Sequence, residues 1–244
     1  MTNEEILEQF VANYNESVKA DKAFLALWDR AKKSNVTYAD ADRFAVAVGN
    51  KMAKAFDKTL ADAGLIDEVV SRELAQTIVP RMAMNADTTV GAVAKRAQTA
   101  INKRGRVGLN VLASPQNQSR VDGLVTFLSD RVYSEIQEKF GQSLVNYSQS
   151  VSTSTMKTNI KAQEAIGVKA IIERVYDGRG LHDGKEPCQW CIDRAGTWTY
   201  EEARDNGVFE RHDGCECTIT YQIEGDDVQL QTDWKTNTWQ YLNG

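Results

Sequence analysis

The residues best suited to chemistry in this chain are four cysteines and one histidine, gathered near its C-terminal end. They read Cys188-x2-Cys191, then twenty residues, then His212-x2-Cys215-x-Cys217. Thiolate sulfur and imidazole nitrogen together favour Zn²⁺ over Mg²⁺ or Ca²⁺. A two-residue spacing lets both thiolates of one turn address one ion. A twenty-residue excursion is long enough for a hairpin and a helical turn that return a second pair of donors. A closed tetrahedral site takes four donors, and five are on offer. Sets that combine Cys188 and Cys191 with any two of His212, Cys215 and Cys217 all satisfy the count. If 215–221 is extended, Cys215, Cys217, Ile219 and Tyr221 share one face, and both late cysteines point inward toward metal or core. A cysteine left over would behave as a small buried hydrophobe.

Other chemistries use parts of the same set, and each lacks a component. PCQWC, residues 187–191, matches half of the zinc deaminase signature, which also needs an upstream His-x-Glu. His182 is followed by Asp183-Gly184, and the only other histidine, His212, belongs to the cluster. CQWC as a thioredoxin-type redox motif lacks a βαβ unit leading into it. An HNH-like nuclease would pair a zinc clip with catalytic histidines and would have His182 alone, for which a loop histidine bonded to a turn is the simpler account. Glu186, Asp193 and Glu216 lie near the donors, but the whole segment is acidic. Four or five protein donors leave little room for the water of a catalytic zinc. The expectation is a structural Zn²⁺, with no catalytic residue and no enzymatic activity.

The elements that must position these donors have a texture of their own. VKAIIERVY, residues 168–176, is rich in β-branched residues and predicts a strand. Gly178, Gly180, Gly184 and Pro187 make a turn-dense approach to CQWC. TWTY, 197–200, and CTITYQI, 217–223, predict short strands, with a helical turn or two over 201–207. A module this small has little core, so bound metal can supply on the order of 10 kcal/mol of its folding energy. Trp190, Trp198, Tyr200, Phe209 and Tyr221 are expected to shelter the site.

Upstream, the chain predicts helices. Ile6, Leu7, Phe10, Val11, Tyr14 and Val18 recur at helical spacing behind a Thr2/Glu5 capping box. Thr37 and Asp40 form a second box ahead of Phe44, Val48, Met52, Phe56 and Leu60, with Gly64 as the stop. Residues 66–79 predict a shorter helix interrupted at Pro80, and 88–104 another, with Val90, Val93, Ala97 and Ile101 on one side. A loop follows at Gly105, Gly108 and Ser114-Pro115. Val121, Leu124, Val125, Leu128, Val132, Ile136, Phe140 and Leu144 form the longest stripe. SQSVSTST, residues 148–155, is either a break or a solvated helical segment, and 156–166 are helical up to Gly167. The expected class is α+β, mostly helical: a helical body over 1–166, a zinc-stapled α+β module over 167–223, and an acidic C-terminal arm over 224–244.

Bulk properties narrow the classes further. The 244 residues are 42% hydrophobic and 26% charged, ordinary for a globular protein. The net charge is −5, but residues 181–244 hold 13 acids and 5 bases, leaving residues 1–180 mildly basic. That asymmetry suggests two surfaces with different partners, and it disfavours nucleic-acid contact through a zinc-ribbon module. MTNEEILEQF lacks the basic and apolar regions of a signal peptide, and no stretch approaches 18 apolar residues, so neither export nor a membrane span is expected. Folding in a reducing cytoplasm argues against disulfides.

RVYDGRGLHDGKEPCQWCIDRAGTWTY, followed by HDGCECTITY, resembles the C-terminal motif of the phage Mu F-like minor head proteins. The resemblance covers about residues 168–222 and rests on Cys188, Cys191, the small turn Arg194-Ala195-Gly196-Thr197, and then His212, Cys215 and Cys217. Family members often have proline after the histidine and a basic residue between the last cysteines, where this chain has Asp213 and Glu216. The resemblance implies a virion protein of a tailed phage or prophage, made in the host cytoplasm and placed near the portal in the head. It implies the portal or major capsid protein as partner. Some members carry further enzymatic or toxin domains; the 27 residues after Cys217 are too few for one. In that setting Lys95, Arg96, Lys103, Arg104 and Arg106 are candidates to meet packaged DNA or an acidic portal surface. Their plainer account is a solvated helix face and loop, and no aromatics interleave them to stack on bases.

Overall fold

Where the sequence sets a cap ahead of an apolar stripe, the computed structural model has a helix. It describes residues 1–176, 188–212, 214–215 and 217–225. Thr2 and Glu5 exchange both bonds of their capping box at the start of α1 (Asn3–Ala20). Thr37 and Asp40 do the same for α3 (Tyr38–Asp62), whose stripe from Phe44 to Leu60 is buried. Gly64 follows α3 at φ +70°, a conformation that favours glycine. The α1 stripe is narrower than expected, since Val11 is 45% exposed. Between them lies α2 (Lys22–Ala31), a helix the patterns above leave unassigned. Its signals are the Asp21 cap, which accepts from Ala23 and Phe24 N–H, and Phe24, Leu27, Trp28 and Ala31 at helical spacing.

Three local expectations are overturned by tertiary packing. First, the break at Pro80 does not occur: α4 (Arg72–Arg104) runs through it. Proline removes the donor for the carbonyl of Gln76. Gln76 and Pro80 are both exposed, so that carbonyl faces water, while Ile78, Val79 and Met82 hold the inner face in the core. Second, the stripe from Val121 to Leu144 is not one helix. It divides into α5 (Gln118–Leu128) and α6 (Tyr133–Glu164) at Asp130, which takes φ +59° and donates its N–H to Val70 O at 2.8 Å. Aspartate tolerates that left-handed region better than most residues. The turn lets β2 (Arg131–Val132) pair antiparallel with β1 (Val69–Val70). Third, SQSVSTST is neither a break nor solvated. It continues α6 with Ser148, Gln149, Ser152, Thr153 and Thr155 buried. Hydroxyls of Ser148, Thr153 and Thr155 donate to carbonyls four residues back, so burial leaves them satisfied.

Small residues bring the long helices close. A Cβ on Gly49 of α3 would stand 2.5 Å from the Cα of Val145 on α6. Gly49→Ala should therefore cost about 1–3 kcal/mol, through forced separation of the two helices. Urea unfolding checks this, and an unchanged midpoint would contradict it.

After α6, Gly167 at φ +83° turns the chain into β3 (Ala170–Val175). The short α7 (Gln189–Ile192), β4 (Gly196–Thr199), α8 (Tyr200–Asp205) and β5 (Thr218–Ile223) follow. The antiparallel sheet has the order β4-β3-β5, with Arg174 opposite Gly196 on one side and Ile219 on the other. This makes a mostly helical α+β fold, about 66% helix among the described residues, with the Cys/His cluster near the C-terminus. Ile172, Ile219, Tyr221 and Ile223 join the same apolar core as the helices. A buried polar network crosses the junction. Tyr38 donates to Gln98, Gln98 donates to Asn102 and to the Tyr221 hydroxyl, and Tyr221 donates to Gln163. Among the described residues no helix is long and apolar enough to cross a membrane. Most of the expected arm, from residue 226 on, lies outside the described residues.

Candidate metal centre

All five predicted donors are brought together where β3, α7 and β5 meet. Cys188 is the N-cap of α7, and its N–H donates to the Tyr176 hydroxyl at 3.0 Å. Cys191 sits one turn on, its N–H bonded to Cys188 O at 3.0 Å, so both sulfurs leave the same face of one turn. Gly214, at φ +70°, closes a second turn in which Cys215 N–H donates to His212 O at 3.1 Å. Cys217 then leads into β5.

The donors form two overlapping triads, Cys188–Cys191–His212 and Cys191–Cys215–Cys217, with ligand atoms inside each lying within 4.8 Å of one another. Cys191 belongs to both. Its Sγ lies 2.9 Å from His212 Nε2 and 3.8 Å from Cys215 Sγ, while Cys188 Sγ lies 3.2 Å from His212 Nε2. Zinc–sulfur bonds of about 2.3 Å at tetrahedral angles put sulfurs roughly 3.8 Å apart, as Cys191 and Cys215 are. The sulfur–nitrogen edges are shorter than the roughly 3.5 Å of such a site, so an ion would spread His212 slightly from its neighbours. Cys191, Cys215 and Cys217 are buried, and Cys188 and His212 half-buried. Among the described residues no carboxylate joins either triad. Asp193 is exposed and accepts from Gln189. Soft donors without carboxylates fit a thiolate-binding ion, and the cluster could hold one. His182, Glu186 and Glu216 lie outside the described residues.

Two guanidinium groups that the cysteine spacing does not announce complete the centre. Arg174 on β3 is 1% exposed, and its Nη2 points at Cys191 Sγ (3.8 Å) and Cys215 Sγ (3.5 Å). Arg211 donates to Cys217 O at 2.6 Å and to Asp42 of α3 at 2.8 Å, with both side chains of this ion pair buried. Burial pushes the Asp42 carboxyl up, against the pull of Arg211. A hydrogen bond from Cys217, aided by Arg211 and Arg174 against the effect of burial, pulls the Cys215 thiol down to about 4. Cys217 goes the other way, raised by its bond to Cys215 and by burial. Burial and the Cys215 charge push Cys191 up to about 12. Arg174 had a sequence signal: Ile172, Arg174 and Tyr176 alternate, which puts a charge on a buried strand face.

The aromatic shelter differs from expectation. Trp190 does cover the donors, its ring edge-on to His212 at 5.3 Å, and Tyr176 joins it. Trp198, Tyr200, Phe209 and Tyr221 pack instead into the main core. They sit on β4, around α8 and further along β5, past the donors and against the helices.

The basic stretch stands elsewhere. Lys95, Arg96, Lys103 and Arg106 are exposed around the end of α4, and Arg104 is half-buried. Arg96 donates to Ala31 O at 3.3 Å. Gly105 lies against Ile223, at the end of β5 away from Cys217, so roughly 20 Å of strand separates this patch from the cluster.

Comparison of the chain with known protein families, curated proteins and solved structures finds no match.

Proposed function

We propose that this chain is a structural, non-enzymatic minor head protein of a tailed phage or prophage, in which a Zn²⁺ ion staples the C-terminal module onto a helical body. The observation that carries the reading is the convergence of Cys188, Cys191, His212, Cys215 and Cys217, the residues on which the Mu F-like resemblance rests. A thiolate-rich, largely buried donor set, which no carboxylate among the described residues joins, suits a structural ion, because a catalytic zinc keeps an open position and a nearby acid or base. On this reading the portal or major capsid protein is the docking partner. The exposed Lys95, Arg96, Lys103 and Arg106 would meet its acidic surface or packaged DNA, with Arg104 beside them.

The test is direct. Protein purified from virions of the encoding phage should carry about one zinc per chain and remain with DNA-filled heads. A metal-free chain absent from heads would overturn the proposal. Metal-dependent DNA cleavage or ADP-ribosyl transfer by the purified chain would favour an enzyme, and loss of cleavage in His182→Ala would point to a nuclease.

A further inference from the structure

The C-terminal end of α4 closes with the glycine one position early. Val107 N–H donates to Asn102 O at 2.8 Å and Arg106 N–H to Lys103 O at 3.4 Å, the paired bonds of a Schellman turn. The left-handed seat of that turn falls on Arg106, at φ +54°. Helix ends usually give this seat to glycine, because a side chain there is strained. Gly105 precedes it with φ −76° and lies directly against Ile223 of β5, where a Cβ would clash. Arg106 is exposed, so core packing does not account for its strain. The turn thus holds Lys103, Arg104 and Arg106 around the point where β5 ends.

The chain delivers acid to the same point. Glu224 donates its N–H to Lys169 O at 2.9 Å, its carboxylate lies 3.8 Å from Lys169 Nζ, and Gly225 turns the chain at φ +82°. The sequence continues with Asp226 and Asp227 and reaches Asp233 before any base. Residues 224–233 hold four acids and no lysine or arginine. Asp226 and Asp227 follow Ile223 by three and four residues, so even a fully extended chain keeps them within roughly 10–14 Å of it. Exposed ion pairs are individually weak. A tether this short, however, holds the acids at a millimolar effective concentration beside the bases.

We propose that the segment from Glu224 to Asp233 docks on the basic surface of Lys103, Arg104 and Arg106, and covers it until a polyanion displaces the segment. The docking stands on this chain's own charges and reach. Its consequence for DNA rests on the DNA contact proposed above.

The experiment acylates the lysines of the full-length chain with an N-hydroxysuccinimide ester at low salt. Mass spectrometry reads Lys103 against Lys95, also exposed and about 12 Å earlier along α4. Asp226→Asn with Asp227→Asn should raise the Lys103 to Lys95 ratio roughly 3–10-fold, and about 1 M salt should do the same to wild type. Arg106→Gly should also raise it. That variant places glycine in the left-handed seat, so its urea midpoint should not fall. Glu4→Gln with Glu8→Gln, on exposed positions of α1, removes the same charge and should leave the ratio unchanged. Anisotropy with a short random-sequence duplex reads the consequence. The Asp226/Asp227 variant should bind roughly 3–10-fold tighter than wild type at about 50 mM salt, and the α1 variant should not. An unchanged ratio in the Asp226/Asp227 variant overturns the docking. Protection of Lys103 that fades on dilution overturns it too, since it assigns the surface to a second copy's segment. If Lys103 is released but no chain binds the duplex, the docking holds and the DNA contact proposed above falls.

Discussion

Cys191→Ser should abolish tight metal binding and with it the fold of the C-terminal module. Cys191 is the donor common to both triads, and its sulfur is within 2.9 Å of His212 Nε2 and 3.8 Å of Cys215 Sγ. Serine places a hard, protonated oxygen at the point where every proposed ligand set converges. The energy at stake is the metal's contribution to folding, on the order of 10 kcal/mol for structural zinc sites. Most of the main core lies on α3, α4 and α6, so the far-UV signal of these helices should survive. The near-UV signal of Trp190, which covers the donors, should collapse. Chelation of the wild-type protein should reproduce both results. Metal content and near-UV dichroism measure the effect, and wild-type zinc affinity in Cys191→Ser would remove the cluster as the site.

Asp42→Ala should destabilise the protein by about 3–5 kcal/mol, the usual cost of stranding one charge of a buried pair. The side chains of Asp42 and Arg211 are 6% and 4% exposed, and their contact at 2.8 Å joins α3 to the segment just before His212. Arg211 also holds Cys217 O, so its release loosens the turn that presents the second ligand pair. Arg211→Met should cost a similar amount, since it strands Asp42. The double variant should be less damaged than the two effects combined, because it strands neither charge. A double-mutant cycle in urea measures that coupling, and additive effects would show that the pair does not hold the module to the body.

How much of this is legible without coordinates depends on how local the cause is. Capping boxes at Thr2 and Thr37 and the stripe from Phe44 to Leu60 act within a few turns, and the helices start where they indicate. Pro80 is equally local, but its effect is decided by whether the freed carbonyl faces water, and only packing settles that. SQSVSTST depends on whether small hydroxyls can bond their own helix while a neighbour approaches, which is again a matter of packing. The stripe from Val121 to Leu144 has one period on both sides of Asp130. The turn there is set by a bond to Val70, sixty residues earlier in the chain.

The site divides along the same line. The donor types and the spacings 188/191 and 212/215/217 are sequence properties. They restrict the chemistry to a thiolate-rich ion before any fold is known, because coordination preference belongs to the donor atoms themselves. The overlap of two triads at Cys191, the burial of Arg174 against two sulfurs, and the pairing of Arg211 with Asp42 were decided by the tertiary structure alone. Charge balance in a low-dielectric interior depends on which groups lose water together, and Asp42 and Arg211 stand 169 positions apart in the chain.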